Sequence, residues 1–373
     1  MSVESSATPQ PQGTRRSVGE IIEVAGLPIF LVLLVGFFMV NPATSHLFAS
    51  KPNLINILGN QSVTGLVAVA MVIPLVSGYF DLSVAAIAGL SNVAVAAGMV
   101  TYHLPPFLAV LLGVGVGLLA GALNAFLVAK LRLNGFIATL GTFTLMGGLL
   151  QLYTNGESIF GVPKDFANWG SLAWFGIPRP FYLLILVALI VWYGLMHTPN
   201  GRQLEAIGSN ESAARLVGIS VDRLVALSFL GSALVASIAG ALLTSRQGGA
   251  DPTVATNYLF PALAAVFLGA TTIRPGRYNV WGTVIGIFTL AIAINGFTFL
   301  GAEAWVTNFF NGAALVLSVA LSTLMARQRE GKAKRLLQQG EEETTSTPSP
   351  PDRSTPDAQA VTSTSSAKYR SQP

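Results

Sequence analysis

Nine long apolar runs recur along this chain, at 24–40, 63–101, 107–129, 136–153, 181–196, 224–244, 258–273, 280–300 and 306–326. A helix crossing a bilayer needs about 20 mostly apolar residues. Only helices and closed barrels satisfy every backbone polar group in hydrocarbon. A barrel would alternate with period two in short segments, and these runs do not alternate. The run 63–101 is long enough for two spans, so we divide it at 60–78 and 82–101, which gives ten segments. Only 10% of the residues are charged, against about 25% in a soluble domain. The fold class expected is an all-α polytopic membrane protein with about ten transmembrane helices.

The basic residues report topology rather than nucleic-acid binding, because Lys and Arg are retained on the cytoplasmic side. With the N-terminus inside, the inner segments hold nine: Arg15, Arg16, Lys130, Arg132, Arg202, Arg215, Arg223, Arg274 and Arg277. Arg327, Arg329, Lys332, Lys334 and Arg335 come directly after the last run, against four basic residues in the outer loops (Lys51, Lys164, Arg179 and Arg246). Both termini are therefore expected in the cytoplasm. The ends differ in composition. Residues 1–20 and 331–373 are polar and rich in Ser, Thr and Pro, and read as disordered tails flanking a transmembrane domain at 21–330. Small residues recur every fourth position at Gly113, Gly117 and Gly121, at Ser232, Ala236 and Gly240, and at Gly282 and Gly286. Such stripes let helices approach closely in lipid.

Cysteine is absent and the three histidines fall at loops or span ends, so no metal ligand set and no catalytic residue is expected. Asp81 and Glu23 are the only acidic residues within or bordering the spans. Carriers driven by ion gradients use several buried ionisable groups, which disfavours that class and charged-filter channels. The polar residues inside the spans are neutral: Asn60, Gln61, Asn92, Asn124, Thr139, Thr142, Thr144 and Asn295. Interhelical hydrogen bonding explains each singly; together they suit a neutral, hydroxyl-rich solute.

The inner loop 197–224 carries its own punctuation. Ser209 or Asn210 can cap a helix over 209–218, with Glu211 in its first turn, Arg215 in its last and Gly218 as its stop. A second short helical piece fits 202–207. A capped helix in an inner loop suits docking to a cytoplasmic partner; a helix lying on the membrane surface is the alternative.

Four stretches resemble one known family, the permease subunits of bacterial ABC importers for monosaccharides of the ribose, galactoside and xylose type, within the wider branched-chain amino acid and sugar permeases. "SGYFDLSVAA" (77–86) is similar to a Gly-Gly-Ile-Asp-Leu-Ser-Val-Gly signature. "LNGFIATLGTFTLMGGL" (133–149), "GRQLEAIGSNESAARLVGISV" (201–221) and "ALAAVFLGATTIRPGRYNVWGTVIG" (262–286) follow in the family's order. Tyr79, Phe80, Ala85 and Ala270 depart from its residues, and Arg274-Pro275 enters the last turn.

The resemblance implies a multi-pass subunit of the bacterial inner membrane that forms the pathway for a sugar or sugar-like polyol. It implies no enzyme activity and no cofactor in this chain, with ATP and magnesium held by a separate cytoplasmic ATP-binding subunit. The sequence has no G-x-x-x-x-G-K-[ST] loop. Other implied partners are an extracytoplasmic solute-binding protein and a second permease chain, identical or paralogous, within membrane lipid. The pathway or gating residues expected are Asp81, Ser83, Asn134, Thr139, Thr142 and Asn295. Those for ATPase coupling are Glu205, Ser209, Asn210, Glu211, Arg215 and Gly218. A branched-chain amino acid, nucleoside or signalling furanone is the alternative solute, and a facilitator or membrane scaffold the alternative class.

Asp81 keeps two readings. In one, its carboxylate or Ser83 caps the third helix at the inner tip of a hairpin. In the other, the second and third helices are broken and re-entrant, and Asp81 touches solute. The loop 269–282, between the eighth and ninth spans, is its candidate counterpart.

Overall fold

In the computed structural model the described residues are 18–320 without 255, 304 and 318. Apart from residues 18–20, the tails expected at 1–20 and 331–373 lie outside them. Helix α1 (Val18–Val40) and the single turn α2 (Ser45–Phe48) lead into α3 (Lys51–Leu75). A turn at 76–83 joins α3 to α4 (Val84–Val100). Helix α5 (Pro106–Ala125) widens into a π-helical turn at Phe126–Lys130, and α6 (Gly135–Thr154) follows. The next connection carries β1 (Ile159–Phe160), α7 (Lys164–Ser171), and the paired strands β2 (Ala173–Trp174) and β3 (Ile177–Pro178). Then come α8 (Arg179–His197), α9 (Pro199–Ser209), α10 (Glu211–Leu216) and α11 (Val221–Gln247). Strand β4 (Gly249–Ala250) pairs antiparallel with β1. Helices α12 (Thr256–Gly269) and α13 (Val280–Phe299) precede a last apolar helix, α14 (Trp305–Leu317).

Among the described residues, six helices are long and apolar enough to cross a membrane: α3, α5 with its π-turn, α6, α8, α11 and α13. Four more, at Val24–Val40, α4, Asn257–Gly269 and α14, are apolar but shorter. Every apolar segment of the sequence overlaps one of these ten. Helix α3 starts well before residue 60, where the apolar signal begins. Ser50 caps it by accepting the Asn53 N–H at 3.4 Å, and Pro52 sits in its first turn, where no N–H partner is needed. The amides of Asn53, Asn56 and Asn60 hide these turns from hydropathy.

Helices α3, α4 and α11 carry much of the core, including Val67, Val69, Ile87, Ala233 and Ala236 at 0% exposure. Helices α5, α6 and α8 turn Phe107, Leu119, Leu152 and Ile190 outward at 63–75% exposure. That apolar surface fits lipid and not water. All three small-residue stripes prove to be contacts within the chain. A Cβ on Gly117 of α5 would lie 1.9 Å from Ser237 Oγ of α11, and one on Gly286 of α13 would lie 2.5 Å from the Ala265 carbonyl of α12. At Gly240 a Cβ would meet the backbone oxygen of Ala88 at 2.2 Å. Backbone cannot rotate away as a side chain can. Gly240→Val is therefore expected to cost about 3 kcal/mol or more, the upper range for overpacking. Its thermal midpoint in detergent should fall well below that of Gly231→Val, where the nearest atom is 3.8 Å away.

Candidate functional site

One end of the bundle gathers the 76–83 turn, α9, α10 and the 270–279 turn. The Asp81 carboxylate lies at its centre, 1% exposed. Oδ1 accepts the backbone N–H of Ser83 at 3.0 Å and the Ser83 hydroxyl at 2.5 Å. Oδ2 accepts the Ser232 hydroxyl of α11 at 3.2 Å. Asn124 of α5 donates to Ser83 Oγ at 2.6 Å, and its own Oδ1 is buried without a partner. Ser83 is the N-cap residue of α4, yet its hydroxyl bonds no N–H of the helix. The carboxylate two residues ahead takes up the Ser83 N–H instead. Negative charge is favoured at that position by the exposed N–H groups and the helix dipole.

Helix α6 clamps the same turn. Thr139 Oγ1 accepts the Leu82 N–H at 3.0 Å and donates to the Gly135 carbonyl at 2.7 Å. Thr142 bonds the Thr139 carbonyl at 3.1 Å, so it supports Thr139 from within its own helix. Asn134 is exposed and caps α6 through the Ile137 N–H at 3.2 Å. The 270–279 turn repeats the arrangement with a neutral amide. Asn279 is 5% exposed, accepts the Gly282 N–H of α13 at 2.7 Å and donates to the Gly269 and Thr272 carbonyls.

The loop 197–224 is joined to both turns. Tyr79 donates to Glu211 Oε2 at 2.8 Å. Burial, and then that bond, push its phenol up to about 12, so it stays a donor at neutral pH. Arg277 pairs with Glu205 of α9. Arg215 bridges Glu211 at 2.9 Å and Asp222 at 2.5 Å, and Arg132 reaches Asp222 at 3.3 Å. Hydrogen bonds to Asp222 and then Glu211 hold the Arg215 guanidinium above its ordinary pKa. A cavity of about 240 Å³ opens between the two turns and α9, lined by Val76, Gly78, Glu205, Ser209, Arg277 and Tyr278.

Asn210 caps α10 through the Ala213 N–H at 2.9 Å. Ser209 does not cap it: it is the last residue of α9, and its hydroxyl turns back to the Glu205 carbonyl at 3.0 Å. Gly218 has φ +84°, the left-handed conformation of a helix stop. The piece expected at 202–207 is the longer α9. Its start was legible in Thr198-Pro199, an N-cap followed by proline at the first helical position. Ala214 faces the chain's own core at 4% exposure, while Leu216 and Val217 stand out at 88% and 77%.

Asn295 lies elsewhere. It exchanges amide hydrogen bonds of 3.0 Å with Asn53 at the opposite end of α3. There a second cavity of about 270 Å³ opens between α3, α12, α13 and α14. Gln61 and Asn60 line this cavity with Asn295. Asp81 and the Thr139 cluster line neither cavity.

The arrangement is that of a membrane bundle with a loop docked on its buried turns. The family model described as "Branched-chain amino acid transport system / permease component" matches residues 53–319. The chain belongs to this permease family. It is 36% identical over 297 residues to the ribose import permease protein of Bacillus subtilis (strain 168), covering 79% of this chain and 90% of that one. It is 30% identical over 299 residues to the D-allose transport system permease protein of Escherichia coli (strain K12), covering 80% and 91%. It is 31% identical over 319 residues to the L-arabinose transport system permease protein of the same strain, covering 85% and 95%. Members of this family are transport components rather than enzymes, and the long apolar helices fit a multi-pass protein of the bacterial inner membrane.

Proposed function

We propose that this chain is the membrane-spanning permease subunit of an ATP-driven importer for a sugar or sugar-like polyol. The observation that carries this is the similarity, over most of the chain, to permeases named for ribose, allose and arabinose. The sequence has no phosphate-binding loop of its own, and ATP with magnesium belongs to a separate cytoplasmic subunit. A solute-binding protein delivers sugar from outside, and a second permease chain completes the assembly.

The loop 197–224 docks on the ATPase through the tip of α10. Glu205, Ser209, Asn210, Glu211, Arg215 and Gly218 hold that tip in place. Asp81 and Ser83 form the gating turn, Thr139 and Thr142 of α6 with its cap Asn134 hold it, and Asn295 belongs to the outer pathway. Ten crossings with both termini inside suit the distribution of Lys and Arg. Helix α12, at 14 residues, rises about 21 Å and falls short of the roughly 30 Å hydrocarbon core. That length suits a re-entrant eighth helix. A branched-chain amino acid remains the second reading, on the strength of the family's description.

Two measurements test this. The whole importer, reconstituted with its ATPase and binding protein, should import labelled D-ribose, D-allose or L-arabinose and hydrolyse ATP, while the permease alone hydrolyses none. Import of L-leucine in their place would select the second reading. Orientation is tested in intact cells, since no native cysteine gives background. Ser158→Cys and Glu303→Cys should react with an impermeant thiol reagent and Ser209→Cys should not. External labelling of Ser209→Cys would invert the topology.

A further inference from the structure

We propose that the cavity between α3, α12, α13 and α14 is a binding site for a neutral, polyhydroxylated solute of monosaccharide size. The site is formed by the amides of Asn56, Asn60, Gln61, Asn257, Asn295 and Asn311. This rests on the sugar-importer reading and gives it a location. Six amides from four helices face one space of about 270 Å³, near the lower limit of about 300 Å³ for small-molecule sites. No Asp, Glu, Lys or Arg among the described residues lines it. The nearby cation, Arg246, donates to Asn60 Oδ1 and to the Gly170 carbonyl instead. An ion or a zwitterionic amino acid would enter with its charges unpaired, which is costly away from bulk water. A sugar hydroxyl both donates and accepts, and so does a primary amide.

The amides divide into two groups. Asn60 donates to Asn56 at 2.8 Å, and Asn295 is locked to Asn53. These pairs fix the rotamers of part of the lining. Gln61, Asn257 and Asn311 make no side-chain hydrogen bond to any described residue. Asn311 is only 7% exposed and lines the cavity, where its amide has no partner among the described residues. Amides serving as interhelical glue would be paired off across the space. Here half of them keep their donors and acceptors for what enters. Ile57, Pro261 and Leu290 supply an apolar wall that suits the C–H face of a sugar ring.

The test uses the whole importer in proteoliposomes with D-ribose, D-allose and L-arabinose as probes. Gln61→Leu and Asn311→Leu should lower initial uptake of whichever sugar is imported by about tenfold or more, the size of one hydrogen bond lost to a desolvated partner. ATP hydrolysis stimulated by loaded binding protein should persist. A second readout does not depend on those variants folding. Thr298 also lines the cavity, and Thr298→Cys would be the chain's single thiol. Saturating sugar should slow its reaction with a small thiosulfonate several-fold. Import with unchanged labelling and unchanged uptake by both variants would overturn the site and keep the function. Protection of the thiol without import would keep the site and reject the importer reading. Neither import nor protection would remove both.

Discussion

Replacing Asp81 with Ala is expected to destabilise the folded permease markedly. The carboxylate receives three hydrogen bonds, from the Ser83 N–H, the Ser83 hydroxyl and the Ser232 hydroxyl. Alanine deletes both acceptor oxygens at a site 1% exposed. A buried donor left unsatisfied costs about 1–3 kcal/mol. The two hydroxyls can swing to helix carbonyls, as serines do within helices. The Ser83 N–H cannot turn, and the helix end loses its negative partner. A net loss of about 2–4 kcal/mol is expected, a large share of the roughly 5–15 kcal/mol that holds a domain folded. Asp81→Asn should be milder, because its oxygen still accepts from Ser83 and its NH₂ can donate to Ser232 Oγ. Abundance in the membrane and the thermal midpoint in detergent read the effect. Wild-type stability in Asp81→Ala with uptake abolished would transfer the carboxylate from helix capping to solute contact.

The sequence showed where the helices run because hydropathy is a sum over neighbours, and it showed Asp81 because one charge in 39 apolar residues stands out. The glycine stripes were readable for the same local reason: a spacing of four places Gly113, Gly117 and Gly121 on one face, and that face packs on α4 and α11. What stayed hidden depends on side chains distant in sequence. Tyr79 read as a departure from the family's glycine. Its role follows only from Glu211, 132 residues later, lying 2.8 Å from its hydroxyl. Ser232 read as a packing residue and is also a ligand of the Asp81 carboxylate. Asn60, Gln61 and Asn295 were legible as polar residues in spans. Asn56 was masked by the polar start of α3 and Asn257 by the edge of its run, while Asn311 lies inside the run 306–326. That all six amides share one cavity is a property of helix rotation, which weak amphipathicity leaves undetermined when most of a helix surface is apolar.

The double variant Leu216→Asp, Val217→Asp is expected to abolish sugar import while the permease stays in the membrane at normal abundance. These side chains are 88% and 77% exposed at the tip of α10, so they contribute little to the fold of this chain. In the proposed function these exposed aliphatic side chains enter an apolar groove on the ATPase. A central contact that is desolvated on docking can cost about 2 kcal/mol when truncated. Two buried charges add a desolvation penalty. Import and ATP hydrolysis by the reconstituted assembly should both fall at least about tenfold, since 1.4 kcal/mol already corresponds to that factor. Tyr79→Phe separates docking from transmission. It removes only the hydroxyl bonded to Glu211, so the tip still docks and ATP is still hydrolysed, but the link from α10 to the Asp81 turn is cut. Import per ATP should fall in Tyr79→Phe with binding of the ATPase unchanged. In the double variant, binding itself should be lost in co-purification. If Leu216→Asp, Val217→Asp retained the ATPase and imported sugar normally, the α10 tip would have no part in coupling. The Glu211–Tyr79 bond would then serve only to hold the loop against the bundle.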